Sequence, residues 1–228
     1  MFSILIPVYN TAISYIEECF NSINNQTFQD FEVIIVDDGS EKPVKDFLNL
    51  TAKKDSRYKV FYKEHSGISE TLNYGLKKCT GNLVARMDSD DIMMPNRLQK
   101  QYDYFSKNKI DILGSQIEIF GKVNYITAHP LNINKDIMIY SDWFMNHPSI
   151  VYKKETILNM GGYHKYFDGL EDLELWCRAL AENKILHNMN DTLVKYRRLH
   201  DNPINDNIKQ KIFLVRHFYA NIIGKIHD

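Results

Sequence analysis

The sequence predicts an α/β fold in which a mostly parallel sheet is flanked by helices. Two segments near the N-terminus, Phe2–Val8 and Phe31–Asp37, are short, β-branched and almost entirely apolar, as strands covered on both faces tend to be. Between them the apolar residues recur every three or four positions, and strand-like and helix-like segments then alternate. This alternation indicates a doubly wound sheet that binds ligands outside the carboxyl ends of its strands.

One helix follows the first strand, because its apolar residues form a single stripe of about three turns: Ile13, Ile16, Phe20 and Ile23. Ser14 is the candidate cap at its start. The alternation continues with a strand at residues 59–62, a helix at residues 69–78 that Gly81 closes, and a strand at residues 83–87. These elements predict repeated βαβ units.

The second half of the chain is less regular. Its pattern predicts a helix at residues 95–108 and a strand at residues 110–120, after which the alternation is lost. We expect this half to build a second lobe on the same sheet. The turn-rich segment NPINDN, residues 202–207, resembles a linker, so we divide the chain into a domain at residues 1–201 and a helical tail at residues 202–228.

The tail predicts an amphipathic helix, because one apolar stripe runs along it: Ile208, Ile212, Val215, Tyr219, Ile222 and Ile226. Phe213, Phe218 and Ile223 flank the stripe, so this face is wider than a coiled-coil seam. The sequence leaves three alternatives for the surface that covers this apolar face. They are the chain's own domain, a second copy in a homodimer, and a membrane surface attracted to nearby basic residues such as Lys209 and Lys211.

Composition excludes some classes of function. The 228 residues include 28 basic and 29 acidic side chains, a formal charge of -1, so no overall field attracts nucleic acid. The three cysteines are far apart and form no C-x-x-C pair, which suits buried thiols in a reducing compartment. The N-terminus lacks a basic segment, and no apolar window of about 18 residues exists. We therefore expect a cytoplasmic protein that contacts a membrane only peripherally.

Two acidic clusters follow predicted strands: VDDGS at residues 36–40 and MDSDD at residues 87–91. Asp88, Asp90 and Asp91 repel one another. Carboxylates without neighbouring histidine or cysteine make a hard oxygen site suited to Mg²⁺ or Mn²⁺, and such ions usually hold substrate phosphates as well. Taken alone, the cluster has another interpretation, a solvated turn whose aspartates cap the following helix.

Several sequence blocks occur in a fixed order over residues 3–200: SILIPVYN, QTFQDFEVIIVDDGS, ARMDSDDIMMPNRLQKQ, HPSIVYKKE, GGY, EDLELWCRA and TLVKYRRLH. Their order and spacing resemble family 2 glycosyltransferases of the small soluble bacterial type. The resemblance implies the GT-A fold, whose sheet is Rossmann-like. It also implies an inverting enzyme that moves a sugar from a nucleotide diphosphate donor, a UDP-sugar by default, to an acceptor hydroxyl of a glycan, a glycolipid or a protein-linked sugar.

The resemblance also implies roles for individual residues. The positions that hold the nucleotide base and ribose are matched by Pro7, Tyr9, Asn10 and Asp38. In the D-x-D motif, Asp88 matches a residue that contacts ribose, sugar or metal, and Asp90 matches the main ligand of Mn²⁺ or Mg²⁺, with Ser89 between them. Asp91 follows as a supporting carboxylate. His200 matches a residue that in some relatives helps to hold the metal or the diphosphate.

Asp172, next to Glu171, matches the catalytic base of the family. The chemistry asks for such a group independently. An inverting displacement needs one carboxylate or imidazole to take the acceptor proton, while the departing diphosphate needs a cation rather than an acid. The pair opens an apolar helix, whose N-terminal dipole stabilises anions. Without the resemblance, the same two residues are interpreted as a helix cap.

The chain departs from the family pattern at two places. Leu72 stands where many relatives have an arginine, and Arg86, on the strand before the aspartates, is the nearest substitute for a phosphate contact. The segment YRRLH has two arginines, so either Arg197 or Arg198 can face the diphosphate, and we assign Arg198 to that contact. His65, His129 and His147 are interpreted as structural, with His147 also shaping the acceptor side.

Other functions fit the sequence less well. A nucleotidyltransferase usually has a glycine-rich, basic loop after the first strand, and residues 8–12 are neither glycine-rich nor basic. A dehydrogenase needs a G-x-G-x-x-G motif after a strand, and no predicted strand of this sequence is followed by one. A non-catalytic protein that binds sugar nucleotides is compatible with the same fold. Both the D-x-D motif and the E-D pair are intact, which favours an enzyme.

Overall fold

A computed structural model describes residues 1–199 and 206–226, and ten strands in the described part form one sheet. The strands are β1 (Phe2–Val8), β2 (Phe31–Asp37), β3 (Tyr58–Tyr62), β4 (Leu83–Arg86), β5 (Ile92–Met93), β6 (Ile112–Gly121), β7 (Tyr125–Ile126), β8 (Asn132–Ile133), β9 (Val151–Lys153) and β10 (Leu186–Arg198). The helices are α1 (Ile13–Asn24), α2 (Lys42–Lys54), α3 (Ile68–Lys78), α4 (Arg97–Lys107), α5 (Lys135–Tyr140), α6 (Lys154–Asn159), α7 (Glu171–Ala181) and α8 (Asp206–Ile226).

The main strands are ordered β3-β2-β1-β4-β9-β6-β10-β5. β1, β2, β3 and β4 pair in parallel, and β6 pairs in parallel with β10. The short β9 lies antiparallel between β4 and β6, so the six longer strands all run in one direction. The prediction of an α/β fold with a mostly parallel sheet and flanking helices is confirmed. The irregular second half contains β9 and two two-residue strands, β7 and β8.

Alternation along the strands divides the core into two layers. On β1, Leu5 faces one apolar cluster, while Ile4 and Ile6 face the other. The first cluster includes α3 and α7, and the second includes α1, α2 and α4. Because each central strand is covered on both faces, it needs apolar residues at consecutive positions, as the sequence shows.

Two local predictions are wrong. Ser14 does not cap α1, because the helix begins at Ile13 and the carbonyl of Ala12 already accepts the first N–H groups. Gly81 does not close α3, which ends at Lys78 with Cys79 as its cap. Gly81 has a different function: a Cβ there would lie 2.7 Å from the backbone nitrogen of Ser3, so the close approach to β1 requires glycine.

Helix α8 packs on the chain's own domain, which is the first of the three alternatives predicted for its apolar face. Three buried side chains of its stripe and the flanking Ile223 join the same cluster as α7: Ile212, Val215, Tyr219 and Ile223. The Tyr219 hydroxyl donates to Glu174 Oε1 at 2.5 Å, and Arg216 Nε donates to the Met138 carbonyl at 2.7 Å. The predicted boundary after residue 201 falls between the two described ranges.

Three apolar side chains of α8 lie outside this core, since Phe213, Leu214 and Phe218 are each more than half exposed. Among the described residues, no helix combines the length and the apolar character that crossing a bilayer requires.

Neighbouring residues on α8 provide a test of this packing. Ile212→Ala should lower the free energy of unfolding by about 2–4 kcal/mol, because it leaves a cavity in the core. Phe213→Ala alters the next residue, whose side chain is exposed, and should change the free energy of unfolding by less than about 0.5 kcal/mol. Urea denaturation of both variants gives the comparison. Equal losses would mean that α8 does not pack as described.

Candidate functional site

The acidic turn of residues 88–91 follows β4 at the carboxyl edge of the sheet and separates two cavities. Asp88 lines both of them. The small cavity, about 300 Å³, opens above the ends of β1 and β2, and the large cavity, about 690 Å³, opens toward β6, β10 and the start of α7. The two acidic clusters found in the sequence thus meet at one cleft, with Asp38 and Asp90 both lining the small cavity.

Arg86 balances part of this negative charge. The residue is 4% exposed, and its guanidinium pairs through Nη1 with Asp88 Oδ2. Burial lowers the pKa of Arg86, but the charge of Asp88 and its hydrogen bond outweigh burial and raise the pKa overall. The side chain therefore stays cationic. Arg86 Nε is buried without a hydrogen-bond partner in the described part of the chain. Because Arg86 also lines the large cavity, its positive charge lies beside any anion bound there.

Arg197 holds the acidic turn in place. Its backbone N–H donates to Asp91 Oδ1 at 2.8 Å, and its Nε donates to the Asp90 carbonyl at 2.9 Å. The guanidinium also pairs with Glu18 at 2.5 Å and lies over the rings of Tyr15 and Phe120. These contacts make Arg197 a structural residue. Arg198, which alternates with it on β10, lies on the strand face of Tyr196, a residue that lines the large cavity.

The remaining carboxylates of the turn lack full compensation. Burial raises the pKa of Asp90, and the nearby charge of Asp88 raises it further. Burial and the charges of Asp88 and Asp90 raise the pKa of Asp91 well above its ordinary value. Asp91 Oδ2 has no hydrogen-bond partner among residues 1–199 and 206–226. Added positive charge at the turn would therefore be stabilising.

A divalent ion fits this donor set only in part. Asp88 and Asp90 offer the oxygen ligands that Mg²⁺ and Mn²⁺ prefer. Within the described ranges, however, no three His, Cys, Asp or Glu side chains gather into a complete metal site. Mg²⁺ is commonly bound by one or two carboxylates together with substrate phosphates, so the residues present match a site that a phosphate ligand completes.

The small cavity is organised by Asp38. This carboxylate accepts from the backbone N–H groups of Ser66 and Gly67 at 3.0 and 3.1 Å, and it pairs with Lys63 and His65. Burial raises the pKa of Asp38, but the hydrogen bonds from Lys63 and the two N–H groups outweigh it and lower the pKa overall. Asp38 therefore stays ionised and fixes the loop that leads into α3.

An aromatic stack closes one side of the small cavity. The ring of Tyr9, 52% exposed, stacks on His65 with centroids 4.1 Å apart. Pro7 and Ser89 also line this cavity, and the Ser89 hydroxyl lies 2.7 Å from that of Thr11. A planar ligand can stack on such rings.

Asn10 does not line the small cavity. Its backbone is left-handed, with φ 49°, and its Oδ1 accepts from the N–H of Glu41 at 2.8 Å. Its own N–H donates to Ser40 Oγ at 2.9 Å. Asn10 therefore ties the loop after β1 to the loop after β2. Of the other predicted ligands, His200 lies outside the described residues.

Glu171 and Asp172 open α7 and face the large cavity. Glu171 Oε2 accepts from the N–H of Gly169 at 2.7 Å, and Asp172 Oδ1 accepts from the N–H of Leu173 at 2.7 Å. Neither bond is a helix cap, because Leu170 is the N-cap of α7 and no side chain caps it. Burial raises the pKa of Asp172 to about 7, and the charge of Glu171 is the next contribution.

His147 faces the same pair. Its Nδ1 lies 3.7 Å from Glu171 Oε1, and its Nε2 lies 3.2 Å from the hydroxyl of Tyr163. Burial lowers the pKa of His147 well below its ordinary value, and Arg86 lowers it further, so the imidazole is neutral. The HP dipeptide at residues 147–148 pointed to this side of the site, whereas its contact with Glu171 carried no signal in the sequence.

Lys63 was not predicted from the sequence as a residue of the site. This side chain pairs with Asp38 across 25 residues of sequence and also reaches the hydroxyl of Ser66. No local pattern marks a lysine at the end of a short strand as such a partner. Leu72, where an arginine was expected, is fully buried in the core, so a cation from that position does not reach the cleft.

Comparison with known proteins identifies related chains. A sequence model of glycosyl transferase family 2 matches residues 3–167. The O-antigen biosynthesis glycosyltransferase WbnJ of Escherichia coli is 34% identical, over 86% of this chain and 79% of its own length.

Solved structures share the fold. TarS of S. aureus, crystallised with UDP as a fragment of residues 1–349, superposes with a TM-score of 0.76 at 20% identity, over 96% of this chain and 64% of that one. The mannosyltransferase PcManGT of Pyrobaculum calidifontis, in complex with GDP-Man and Mn²⁺, gives 0.66 at 16% identity, over 100% and 64%. At this level of identity the likeness shows the GT-A fold alone, and the expectation of that fold is confirmed.

The pKa of Asp172 is directly testable. Carboxyl ¹³C chemical shifts should titrate near pH 7 for this residue, and Glu171→Gln should lower that pKa because it removes the neighbouring negative charge. The direction of the pH dependence of stability follows from this shift, because the pKa in the folded state exceeds the ordinary value of about 3.9. The contribution of Asp172 to stability is full below about pH 4 and is lost as the pH rises through about 7. An unshifted titration near 4 would contradict the described burial.

Proposed function

Because this chain belongs to glycosyl transferase family 2, we propose that it moves a sugar from a nucleotide diphosphate-sugar to a hydroxyl of a glycan, a glycolipid or a protein-linked sugar, with inversion at the anomeric carbon. The observation that carries the proposal is the position of Asp88 between two cavities of different character. One offers an aromatic stack and an ionised carboxylate, and the other has a carboxyl whose pKa is about 7.

The nucleoside is assigned to the small cavity. Tyr9 would stack on the base, with Pro7 and Asp38 beside it, while Asn10 supports the loop rather than the ligand. A UDP-sugar is the default donor. TarS was crystallised with UDP and PcManGT with GDP-Man, so this fold accommodates both bases and the choice must come from side chains.

The diphosphate is assigned to the junction of the cavities. Arg86 brings a positive charge there, and Arg198 lies on the same strand face as the cavity-lining Tyr196. Asp90, with Asp88, would hold Mn²⁺ or Mg²⁺, and His200 remains a further candidate ligand. When bound, such an ion neutralises charge that develops on the departing diphosphate.

Asp172 is assigned as the general base. In the proposed displacement, the acceptor oxygen forms a bond to the anomeric carbon as the bond from that carbon to the diphosphate oxygen breaks, and the acceptor proton passes to the Asp172 carboxylate. A base with a pKa near the working pH combines an adequate ionised fraction with proton affinity. Glu171 tunes this pKa by its charge, and His147 lies 3.7 Å from the Glu171 carboxylate.

We assign the reaction to the cytoplasm. The three cysteines, Cys19, Cys79 and Cys177, are free and buried, which suits a reducing compartment. The family and the O-antigen relative favour surface polysaccharide assembly as the process.

A panel of UDP-, GDP- and dTDP-sugars with Mn²⁺ tests the proposal by thermal shift, because a bound ligand stabilises the folded state by mass action. Release of the nucleoside diphosphate from the same donors tests for turnover. A stabilising donor that is never turned over, even with acceptors present, would instead identify a non-catalytic binding protein.

Asp90→Ala should abolish turnover and the dependence on Mn²⁺ while leaving thermal stability nearly unchanged, since it relieves repulsion in the acidic turn. Asp103→Ala, which removes an exposed carboxylate of α4, is the matched control and should behave like the wild type. Full activity of the wild type in excess chelator would refute metal assistance.

Asp172→Asn should keep donor binding but lower the transfer rate by roughly a hundredfold or more, as expected when a general base is lost. In the wild type the rate should rise with pH through about 7 as Asp172 ionises. Glu171→Gln should shift that rise to lower pH. If Asp172→Asn transfers sugar at the normal rate, Asp172 is not the general base.

A further inference from the structure

Residues 163–168 form a strap that lies along α3 before the chain enters α7. At the start of the strap, the Asn73 side chain binds the backbone of Tyr163 twice. Its Nδ2 donates to the Tyr163 carbonyl at 2.7 Å, and its Oδ1 accepts from the Tyr163 N–H at 2.8 Å. In the middle of the strap, Lys165 Nζ lies 3.4 Å from Glu70 Oε1. The strap thus joins α3, beside the small cavity, to α7, beside the large one.

The last residue of the strap, Asp168, reaches the start of α3. Its Oδ1 accepts from the backbone N–H of Ser69 at 3.2 Å, and such N–H groups in the first turn of a helix have no partner within the helix. Its Oδ2 lies so close to Gly67 that a Cβ there would collide with it. Gly67 also has φ +95°, so both its backbone and the approach of Asp168 require glycine at this position.

Gly67 belongs to the wall of the small cavity. It lines that cavity together with Ile68, and its N–H donates to Asp38 Oδ2 at 3.1 Å. Two aspartates that are distant in sequence therefore hold the same turn, Asp38 from the end of β2 and Asp168 from the strap. A nucleoside bound in the small cavity lies against the turn that Asp168 holds.

Asp168 also leads directly into the proposed base. Gly169 follows it with φ +88° and donates its N–H to Glu171 Oε2 at 2.7 Å. Gly169, Glu171 and Asp172 all line the large cavity, whereas Asp168 lines neither of the two cavities. Because glycine permits many backbone conformations, the loop at residues 169–170 needs a fixed point before it. The contacts of Asp168 with α3 supply that point.

The strap depends on these polar contacts because little of it is buried. Within it only Tyr163 is buried, and Lys165, Tyr166 and Asp168 are exposed. A surface segment with few buried apolar side chains opens at a lower free-energy cost than the core does. A ligand that stabilises one conformation of the turn at residues 66–68 therefore restricts the strap only as far as hydrogen bonds join the two.

We propose that Asp168 is a positioning residue that couples the two cavities, because it ties the turn at residues 66–68 to the loop that leads to Glu171 and Asp172. Donor binding in the small cavity fixes the turn, and Asp168 transmits this order to the base before the acceptor proton is taken. The inference rests on the proposed function, since it takes the small cavity as the donor site and Asp172 as the base.

Hydrogen–deuterium exchange with UDP, and with GDP as a second probe, tests the coupling without turnover. In the wild type, the nucleotide should protect residues 66–71 and also residues 165–172. In Asp168→Ala, protection at residues 66–71 should remain, while protection at residues 165–172 should be largely lost. Asp168→Asn keeps a side-chain oxygen that can accept from the Ser69 N–H, so it should restore most of that protection.

Release of UDP from a UDP-sugar, with water as the acceptor, gives the kinetic readout. Asp168→Ala should lower kcat roughly tenfold, because a displaced base is poorly aligned, and should leave the KM for the donor within about twofold. Asp136→Ala is the matched control, since Asp136 is an exposed aspartate in the first turn of another helix, α5, and lines neither cavity. Its kcat and its exchange should equal those of the wild type.

The outcomes separate this inference from the proposed function. Protection of residues 66–71 without protection of residues 165–172 in the wild type overturns the coupling and leaves the donor site in place, and this result does not depend on how any variant folds. An Asp168→Ala variant that responds like the wild type, or an Asp168→Asn variant as impaired as Asp168→Ala, overturns it as well. Nucleotides that protect neither segment reject the donor site and the coupling together.

Discussion

Charge compensation at the acidic turn is the constraint on which the site depends. Three aspartates in four residues would repel one another, yet the turn is nearly buried at the edge of the sheet. Three arginines lie around it. Arg86 pairs with Asp88, Arg197 binds the turn through Asp91 and the Asp90 carbonyl, and Arg97 reaches the Arg86 carbonyl at 2.9 Å. Arg86 and Arg97 are buried, and Arg197 is partly buried. Burial lowers the pKa of Arg97 to about 9, and the nearby Arg86 lowers it further, so this support is itself costly. The sheet, α4 and β10 are packed so that these cations meet one loop.

Most of the fold was predictable from the sequence, because its signals are local. A strand covered on both faces needs an apolar run, and a helix on a sheet needs a stripe, so β1, β2, α1 and α8 were recognised by pattern alone. The order of the strands was not predictable. β9 is three residues long and lies between two strands that are remote from it in sequence, a position that depends on pairing rather than on composition. The Ser14 and Gly81 predictions failed because caps depend on where a helix starts and ends, which periodicity locates only roughly.

The candidate site was predictable where residue type alone restricts the chemistry, as for Asp88, Asp90 and Asp172. It was not predictable where two residues of the same type compete. Nothing in YRRLH distinguishes Arg197 from Arg198. Successive side chains of β10 point to opposite faces, and the structure shows that Arg197 is the one that binds the acidic turn. Lys63 is similar, since its partner Asp38 is brought close by the pairing of β2 with β3 and not by any motif.

The two cavities are divided in sequence as they are in space. Every residue that lines the small cavity comes from residues 7–90, whereas the large cavity takes all of its lining except Arg86 and Asp88 from residues 117–208. Recombination between related genes near α4 would therefore exchange one specificity while it left the other intact. Such a chimera must keep the buried polar contacts between α4 and the second stretch. Gln101 on α4 donates to the Ser149 carbonyl, and Arg97 donates to the Ile150 carbonyl. The two specificities are thus drawn from two stretches of the chain, although one sheet and a shared apolar cluster hold these stretches together.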